Sequence, residues 1–250
     1  GMRCIAKRDG LWSRKGKPVL SAPHIISALA PLFAEAPDLV LDGELYNHEY
    51  KDDFNSIMSA CKKTTSLTRE NLKISAQVVQ FHIYDIPSVE QKYKTRHQSI
   101  IALFKANFWR HNSIKMVETV RAESHVHIDE LYRSFLEDGY EGGIIRQNEM
   151  YFQKRTKALL KRKETLTDEF LVLEIMQGVG NWSGKAKSVR VKTKYGECEV
   201  GVKGSMEHCA DVFKNRKKYE RKKATVEYRG WTPDKAIKQG VVKEFARADI

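Results

Sequence analysis

Residues 39–45 read Leu39-Val40-Leu41-Asp42-Gly43-Glu44-Leu45, a short apolar strand that runs into a glycine between two carboxylates. An apolar run of this length beside a glycine is typical of a buried strand. Because side chains at the end of such a strand often face a cleft, we expect the Glu44 carboxylate to emerge there. An isolated glutamate is more often a solvated turn residue. The function of Glu44 therefore depends on what else the chain brings to it.

The sequence on both sides of this strand predicts a mixed α+β domain over residues 1–164. An Asp9-Gly10 turn indicates a hairpin within residues 3–18, and residues 78–86 form a second β-rich run. Apolar residues at helical spacing predict four helices, over residues 21–37, 54–61, 92–108 and 128–138.

Beyond residue 141 the pattern changes to short strands separated by glycine-rich turns. Residues 170–176 begin this series, and a hairpin turns at Tyr195-Gly196. A single helix is predicted over residues 205–218. The number of strands predicts a small five-stranded barrel over residues 165–250. We place the domain boundary near residues 164–167.

Composition limits the classes of function. The chain has 250 residues, 41% of them hydrophobic, with 44 basic and 32 acidic side chains and a net charge of +12. No apolar run approaches the ~18 residues of a membrane span, and no secretory signal is visible. We therefore expect a soluble, intracellular protein with a polyanion as its partner. The four cysteines are too scattered for a zinc site or a disulfide framework, and the eight histidines show no metal-binding spacing.

Three further segments could carry chemistry together with Glu44. Glu141 precedes Gly142-Gly143, where a phosphate could approach the backbone, and with Glu44 it could share a Mg²⁺ ion. Lys161 and Lys163 alternate along a strand, so two ammonium groups on one face could neutralise a phosphate. Phe81 lies in a strand and could stack on a base, although core packing is the commoner role of a strand phenylalanine.

In order along the chain, these segments resemble the motifs of the ATP-dependent DNA ligases, which are covalent nucleotidyltransferases, and especially the compact phage and bacterial type. The resemblance covers nearly the whole chain. Six segments match in the order of the family's motifs, and two further segments resemble its OB domain. They are Gly1-Met2-Arg3, residues 13–16, residues 42–45, residues 81–85, residues 141–144 and residues 160–163, then residues 178–204 and residues 228–234.

This resemblance implies a nucleotidyltransferase (adenylation) domain at residues 1–164, followed by an OB-fold domain at residues 165–250. It implies ATP and Mg²⁺ as cofactors and nicked duplex DNA as the partner. It also implies a monomer in the cytoplasm, in a nucleoid or in a phage-infected bacterial cell. Glu44 would hold the ribose or the metal, Glu141 would help to bind the metal, and Phe81 would stack on adenine. Lys161 and Lys163 would contact the transferring phosphate, and Arg3 would steady the adenylate. The implied DNA contacts are Arg14, Lys15, Lys185, Lys187 and Arg190.

The family's nucleophile is a lysine three positions before the glycine that Gly1 matches. We therefore expect that this lysine precedes Gly1 and that residues 1–250 alone do not adenylate themselves; Lys7 is not its substitute. Residues 243–249 loosely resemble a further, C-terminal motif of the family. This resemblance implies a role for Arg247.

Other functions remain open from the residues alone. An RNA ligase or an mRNA guanylyltransferase uses related motifs. A non-catalytic clamp on nicked DNA would use the same basic surface without AMP transfer.

Overall fold

The computed structural model describes residues 1–51, 53–62, 67–106 and 111–245. The chain forms two compact units that divide between Arg162 and Lys163. Within the described ranges, no helix has both the length and the apolar character needed to cross a membrane.

The first unit contains a five-stranded sheet in the order β2-β1-β3-β4-β5. Its strands are β1 Met2–Lys7, β2 Gly10–Ser13, β3 Leu41–Tyr46, β4 Gln80–Asp85 and β5 Ile114–Met116. The first four pair antiparallel, and β5 runs parallel to β4. A separate two-stranded sheet pairs β6 Gly142–Arg146 with β7 Leu159–Lys163. The predicted α+β organisation is thus confirmed.

Five helices accompany these sheets: α1 Pro23–Glu35, α2 Phe54–Lys62, α3 Arg69–Val78, α4 Tyr93–Lys105 and α5 His125–Glu137. The apolar side of α1, which includes Ile25, Leu29 and Phe33, belongs to the same buried cluster as Cys4 of β1 and Leu45 of β3. Because side chains alternate along strands, one face of the central three strands is committed to this core. The opposite face of those strands remains available for polar groups.

Two elements of this unit were absent from the sequence prediction, α3 and β5. The helix α3 is mostly polar and buries only Ser75 and Val78, so it contributes little to the core. Its start is instead defined by a capping box, in which Thr68 and Asn71 exchange hydrogen bonds between side chain and backbone.

The second unit is a closed five-stranded barrel in the order β10-β12-β11-β8-β9. Its strands are β8 Leu166–Gln177, β9 Ala186–Thr193, β10 Gly196–Val202, β11 Lys223–Tyr228 and β12 Val241–Phe245. Val172, Val189, Val191 and Val226 are completely buried within it. The predicted barrel is confirmed, and β8 begins four residues before the predicted Phe170. The helix predicted over residues 205–218 is shorter: α6 spans Met206–Lys214, and a 3₁₀ turn follows at Arg216–Lys218.

The stretch that begins at Leu39 has its tightest packing at Gly43. A Cβ atom added to Gly43 would lie 2.5 Å from the His82 carbonyl oxygen and 2.6 Å from Cε2 of Phe81. Since backbone atoms cannot rotate away as a long side chain can, any residue larger than glycine must push β3 and β4 apart. This close approach explains why a glycine stands within the strand.

We therefore expect Gly43→Ala to lower the free energy of unfolding by about 2–3 kcal/mol, the usual cost of overpacking. Urea unfolding followed by circular dichroism would measure this change. Gly143→Ala is the matched control, because its added Cβ would meet nothing nearer than 3.6 Å. Equal stability of the two variants would contradict this close packing of β3 on β4.

Candidate active site

A row of polar side chains crosses the face of the sheet that the core leaves open. Arg3 of β1 pairs directly with Glu44 of β3, and Glu44 pairs with His82 of β4. Directly opposed residues share a face of the sheet. The next row, Cys4, Gly43 and Ile83, lies on the core side. The structure thus brings together two of the predicted site residues, Arg3 and Glu44.

A buried carboxylate holds one end of this face. Asp42 is 1% exposed and accepts two hydrogen bonds from the Arg3 guanidinium, at 3.0 and 2.7 Å. The Tyr151 hydroxyl donates to Asp42 Oδ2 at 2.9 Å and accepts from Arg3 Nη2 at 2.8 Å. Although burial opposes the charge of Arg3, the bonds to Asp42 outweigh it and raise the pKa of the guanidinium. Arg3 is therefore a fixed cation.

A bulge in the pairing of β3 with β4 places Tyr84 at this site. Asp42 pairs with Asp85 and Gly43 with Ile83, so Tyr84 has no residue opposite it. Burial and the neighbouring Asp42 carboxylate raise the pKa of the Tyr84 hydroxyl far above its usual range. The Arg146 guanidinium lies 5.0 Å from the centre of the Tyr84 ring. Tyr84 is thus a neutral, partly exposed ring among charged groups.

Arg146 joins the two sheets of this unit through Asp85. Its Nη1 donates to Asp85 Oδ2 at 2.8 Å, while Arg96 of α4 donates to both oxygens of the same carboxylate at 2.6 and 3.2 Å. Asp85 and Arg96 are 0% and 2% exposed. A buried carboxylate between two guanidinium groups is strongly held, because removal of one partner leaves an uncompensated charge.

The structure corrects the prediction for Phe81. The Phe81 ring is 0% exposed and belongs to the hydrophobic core, and it packs against Gly43 on the side of the sheet away from Glu44. A base cannot reach either face of this ring. Alternation along β4 buries Phe81 and Ile83 and places Tyr84 on the same face as His82. Tyr84, not Phe81, is therefore the aromatic ring that β4 presents on the open face.

The predicted lysines lie on the second sheet. Arg162 of β7 pairs with Asp129 of α5, and its guanidinium lies 4.3 Å from the centre of the Tyr132 ring. Because side chains alternate, Lys161 and Lys163 occupy the face of β7 that points away from α5. Lys161 is exposed.

Glu141 lies directly before β6 and is exposed. The preceding residue, Tyr140, contacts His48, with 4.3 Å between ring centres. His48 in turn bonds to the Tyr46 hydroxyl at 2.8 Å, and Tyr46 packs edge-on against His82. This chain of rings joins the segment that carries Glu141 to the sheet face that carries Glu44.

Sequence analysis missed several residues of this site: Asp42, Tyr84, Asp85, Arg96, Arg146 and Tyr151. Of these, Asp42 and the pair Tyr84-Asp85 stand inside segments that it had marked. Arg96, Arg146 and Tyr151 carry no local signal, since their partners lie 11 to 148 residues away.

The predicted DNA contacts occupy two exposed turns and one strand. Arg14 and Lys15 lie in a turn after β2, closed by a bond from the Ser13 amide to the Lys17 carbonyl at 2.8 Å. In the barrel, Lys185 donates to the Asn181 carbonyl at 3.1 Å, and Lys187 is exposed on β9. Arg190 pairs with Glu174 at 3.0 Å and with Glu197 at 4.0 Å. Arg247 lies outside the described residues.

The carboxylates of this site suit a hard cation such as Mg²⁺, if a bound ligand and water supply the rest of its coordination shell. Among the described residues, no group of three or more acidic, histidine or cysteine side chains comes together. Mg²⁺ commonly takes only one or two carboxylates and completes its shell with phosphates and water. Asp42 is occupied by Arg3 and Tyr151, whereas the Glu44 side chain is 41% exposed and lies 3.4 Å from the Gly1 amino group. The binding of Mg²⁺ by Glu44 and Glu141, which are both accessible to solvent, stays a prediction, and Asp42 is less suited to it.

Comparison with known proteins identifies relatives of the chain. Residues 3–163 match the family described as ATP dependent DNA ligase domain. A DNA ligase from Haemophilus influenzae is 24% identical over 196 residues, which cover 77% of this chain and 68% of that protein. A DNA ligase from African swine fever virus is 25% identical over 195 residues, 71% of this chain and 43% of the viral protein.

A solved structure of a Lig E DNA ligase, studied for DNA binding with a minimal scaffold, superposes with a TM-score of 0.78. It shares 21% identity, and the superposition covers 98% of this chain and 89% of the other. The arrangement of an adenylation domain followed by a barrel of the OB type is therefore the fold of this chain.

The environment of His82 predicts a pH dependence of stability. Burial first, and then the charge of Lys115, lowers the pKa of His82 to about 4, against about 6.5 in an unfolded chain. Between these values the unfolded chain binds a proton that the native chain does not, so stability falls as the pH drops from 6.5 toward 4.

We expect His82→Gln to reduce the loss of unfolding free energy between pH 7 and pH 5 by up to about 2 kcal/mol. Urea unfolding at both pH values would measure the difference. His111→Gln, at an exposed position, is the control and should leave the pH dependence unchanged. The same pH dependence in wild type and His82→Gln would refute a neutral, buried imidazole.

Proposed function

The chain belongs to the ATP-dependent DNA ligase family, and we propose that it seals nicks in duplex DNA with ATP and Mg²⁺. In this proposal AMP passes from ATP to a lysine, then to the 5′-phosphate at the nick, and finally leaves as the 3′-hydroxyl attacks. The observation that carries the proposal is the sheet face on which Arg3, Glu44 and Tyr84 meet, joined through Arg146 to the sheet that bears Lys161.

The nucleotide would bind on the open face of β3 and β4. We assign adenine stacking to Tyr84, because Arg146 covers one side of its ring and the ring remains partly exposed. Glu44 is placed to accept hydrogen bonds from ribose hydroxyls. The neutral His82, which lies opposite Glu44 on β4, adds no further positive charge to that of Arg3 beside the carboxylate.

The phosphate would lie between the two sheets. Lys161 and Lys163 present ammonium groups from one face of β7, where they can neutralise the charge that accumulates on the transferring phosphate. Glu44 and Glu141 would hold Mg²⁺, which when bound polarises the phosphate oxygens. Arg3 cannot move toward the phosphate without giving up its bonds to Asp42 and Tyr151. We therefore propose that Arg3 positions the site and contacts the adenylate from a fixed location.

The last step can be written with all atoms accounted for. The 3′-hydroxyl oxygen attacks the phosphorus of the adenylated 5′-phosphate, and a P–O bond forms. The phosphoanhydride bond breaks, AMP leaves with its own phosphate, and the hydroxyl proton passes to solvent. No bond to a lysine forms in this step. It therefore tests the proposed site directly on residues 1–250.

The decisive experiment supplies the chain with nicked duplex DNA that already carries AMP on its 5′-phosphate, together with Mg²⁺. We expect sealing and release of AMP, measured by denaturing gel and by chromatography. Lys161→Ala should slow this reaction about 100-fold, while Lys73→Ala, at an exposed position of α3, should not slow it.

Binding of the adenylated nick without any sealing by the wild type would support a clamp and contradict the proposal. Sealing of the equivalent RNA nick, but not of the DNA nick, would assign the chain to the RNA ligases. An equal loss of DNA affinity and rate in Lys161→Ala would instead make Lys161 a DNA contact.

Substitutions of Tyr84 and Phe81, the two aromatic residues of β4, should have opposite effects on ATP affinity and on stability. Tyr84→Leu should weaken the binding of ATP by roughly 10-fold, because base stacking contributes about 1–3 kcal/mol, and Tyr84→Phe should restore most of it. Phe81→Leu should lower the unfolding midpoint and leave ATP affinity near that of the wild type. Isothermal titration calorimetry with ATP, beside thermal unfolding, would separate these effects. A larger affinity loss in Phe81→Leu than in Tyr84→Leu would return the stacking role to Phe81.

A further inference from the structure

One ten-residue segment carries the net positive charge of the barrel. Residues 214–223 contain seven basic side chains and a single acid, Glu220. The other 76 residues from position 165 onward contain eleven basic and eleven acidic residues. Outside this segment, which we call the basic ridge, the second half of the chain is therefore neutral overall.

Contacts of Arg216, Tyr219 and the Arg221 backbone hold the basic ridge in place. The Arg216 guanidinium lies 4.6 Å from the centre of the Phe213 ring and donates to the Phe213 carbonyl at 3.1 Å. The Tyr219 ring packs against Phe245 with 5.0 Å between centres. The amide of Arg221 donates to the Val172 carbonyl at 2.8 Å. These contacts fix the backbone of the ridge against the barrel before any partner binds.

Five basic side chains of the ridge are accessible to solvent. Lys214, Lys217, Lys218, Arg221 and Lys222 are exposed. Among the described residues, none of these five forms an ion pair with a carboxylate; Lys223 pairs with Glu169 at 3.6 Å. The one acid of the ridge is turned toward the barrel, since Glu220 accepts from the Ile175 amide at 3.4 Å. Residues 214–218 line an open depression of about 340 Å³.

One barrel position predicted to bind DNA has little free charge, because Arg190 is shared between two carboxylates, Glu174 and Glu197. By contrast, the ridge concentrates five exposed cations without an ion pair among the described residues, and such a surface attracts a polyanion. The aromatic rings in and beside the ridge already contact other side chains: Tyr219 contacts Phe245, and Phe213 contacts Arg216. The ridge thus favours contacts with phosphates rather than the stacking of single-stranded bases.

We propose that the basic ridge is a separate phosphate-binding surface that grips the backbone of duplex DNA beside the nick. The proposal rests on the proposed ligase function and adds to it a surface that lies outside the nucleotide site. Contacts of lysine with phosphates carry no sequence information. The ridge should therefore raise affinity for all duplexes alike.

The test compares two triple variants of the full chain with equal loss of charge. One changes Lys214, Lys217 and Lys218 to Gln; the other changes Lys7, Lys73 and Lys92, which are exposed positions of the first unit, to Gln. Fluorescence anisotropy with an unadenylated nicked duplex would give Kd across a salt series. If each lysine neutralises one phosphate, the log–log salt slope of the ridge variant should become shallower by about 2–3. Its Kd near 0.1 M salt should rise at least tenfold, and the control variant should retain the wild-type slope.

Equal slopes in the two triple variants would overturn the proposal. Thermal unfolding checks that both variants fold, and Lys217→Gln alone, with an expected slope change of about 0.9, replaces the triple variant if it does not. If DNA binding is unchanged but binding to phosphatidylserine vesicles is lost, the ridge faces a membrane and the proposal is wrong.

Sealing of the adenylated nick at saturating DNA and low salt separates this proposal from the proposed function. The ridge variant should seal at the wild-type rate, because its lysines do not contact the reacting atoms. If the wild type fails to seal while the difference in salt slope persists, the ligase reaction is refuted and the DNA-binding ridge stands.

Discussion

The buried carboxylate of Asp42 is the interaction on which the rest of the first unit depends. It directly follows Leu41, the first residue of β3, and it ties Arg3 of β1 to Tyr151, which follows β6. A carboxylate that is 1% exposed is stable only when its hydrogen bonds are complete. The requirement for both partners therefore fixes the position of the second sheet against the first. Asp85 is a second buried carboxylate of this kind, and it accepts hydrogen bonds from Arg96 and Arg146.

Local sequence predicted the elements whose periodicity is strong. The Asp9-Gly10 hairpin, the helices α1, α4 and α5, and the strands of the barrel all follow from turn residues and apolar spacing. The helix α3 did not, since only Ser75 and Val78 are buried along it. Its formation depends on the capping box at Thr68 and on packing against α2. Neither of these produces an apolar repeat.

The site was predictable in its segments and less so in its residues. Arg3 and Glu44 were both singled out from the sequence, and the pairing of β1 with β3 brings them to one face of the sheet. Alternation holds through β4: Phe81 and Ile83 are buried, while Tyr84 is partly exposed. The bulge changes only the pairing of β4 with β3. Phe81 was assigned in place of Tyr84 because periodicity within one strand does not show which of its two faces packs in the core.

The two units handle charge in opposite ways, and this difference bears on what each can bind. In the first unit, Arg3 and Arg162 each pair with one carboxylate, and Arg96 and Arg146 share Asp85, so these guanidinium groups are held in fixed positions. In the barrel, the ridge keeps its cations and turns its one acid inward. A pocket of fixed, paired charges suits selection of a small nucleotide by shape and hydrogen bonding. An uncompensated ridge suits a long polyanion, whose binding gains from counterion release and needs no exact register.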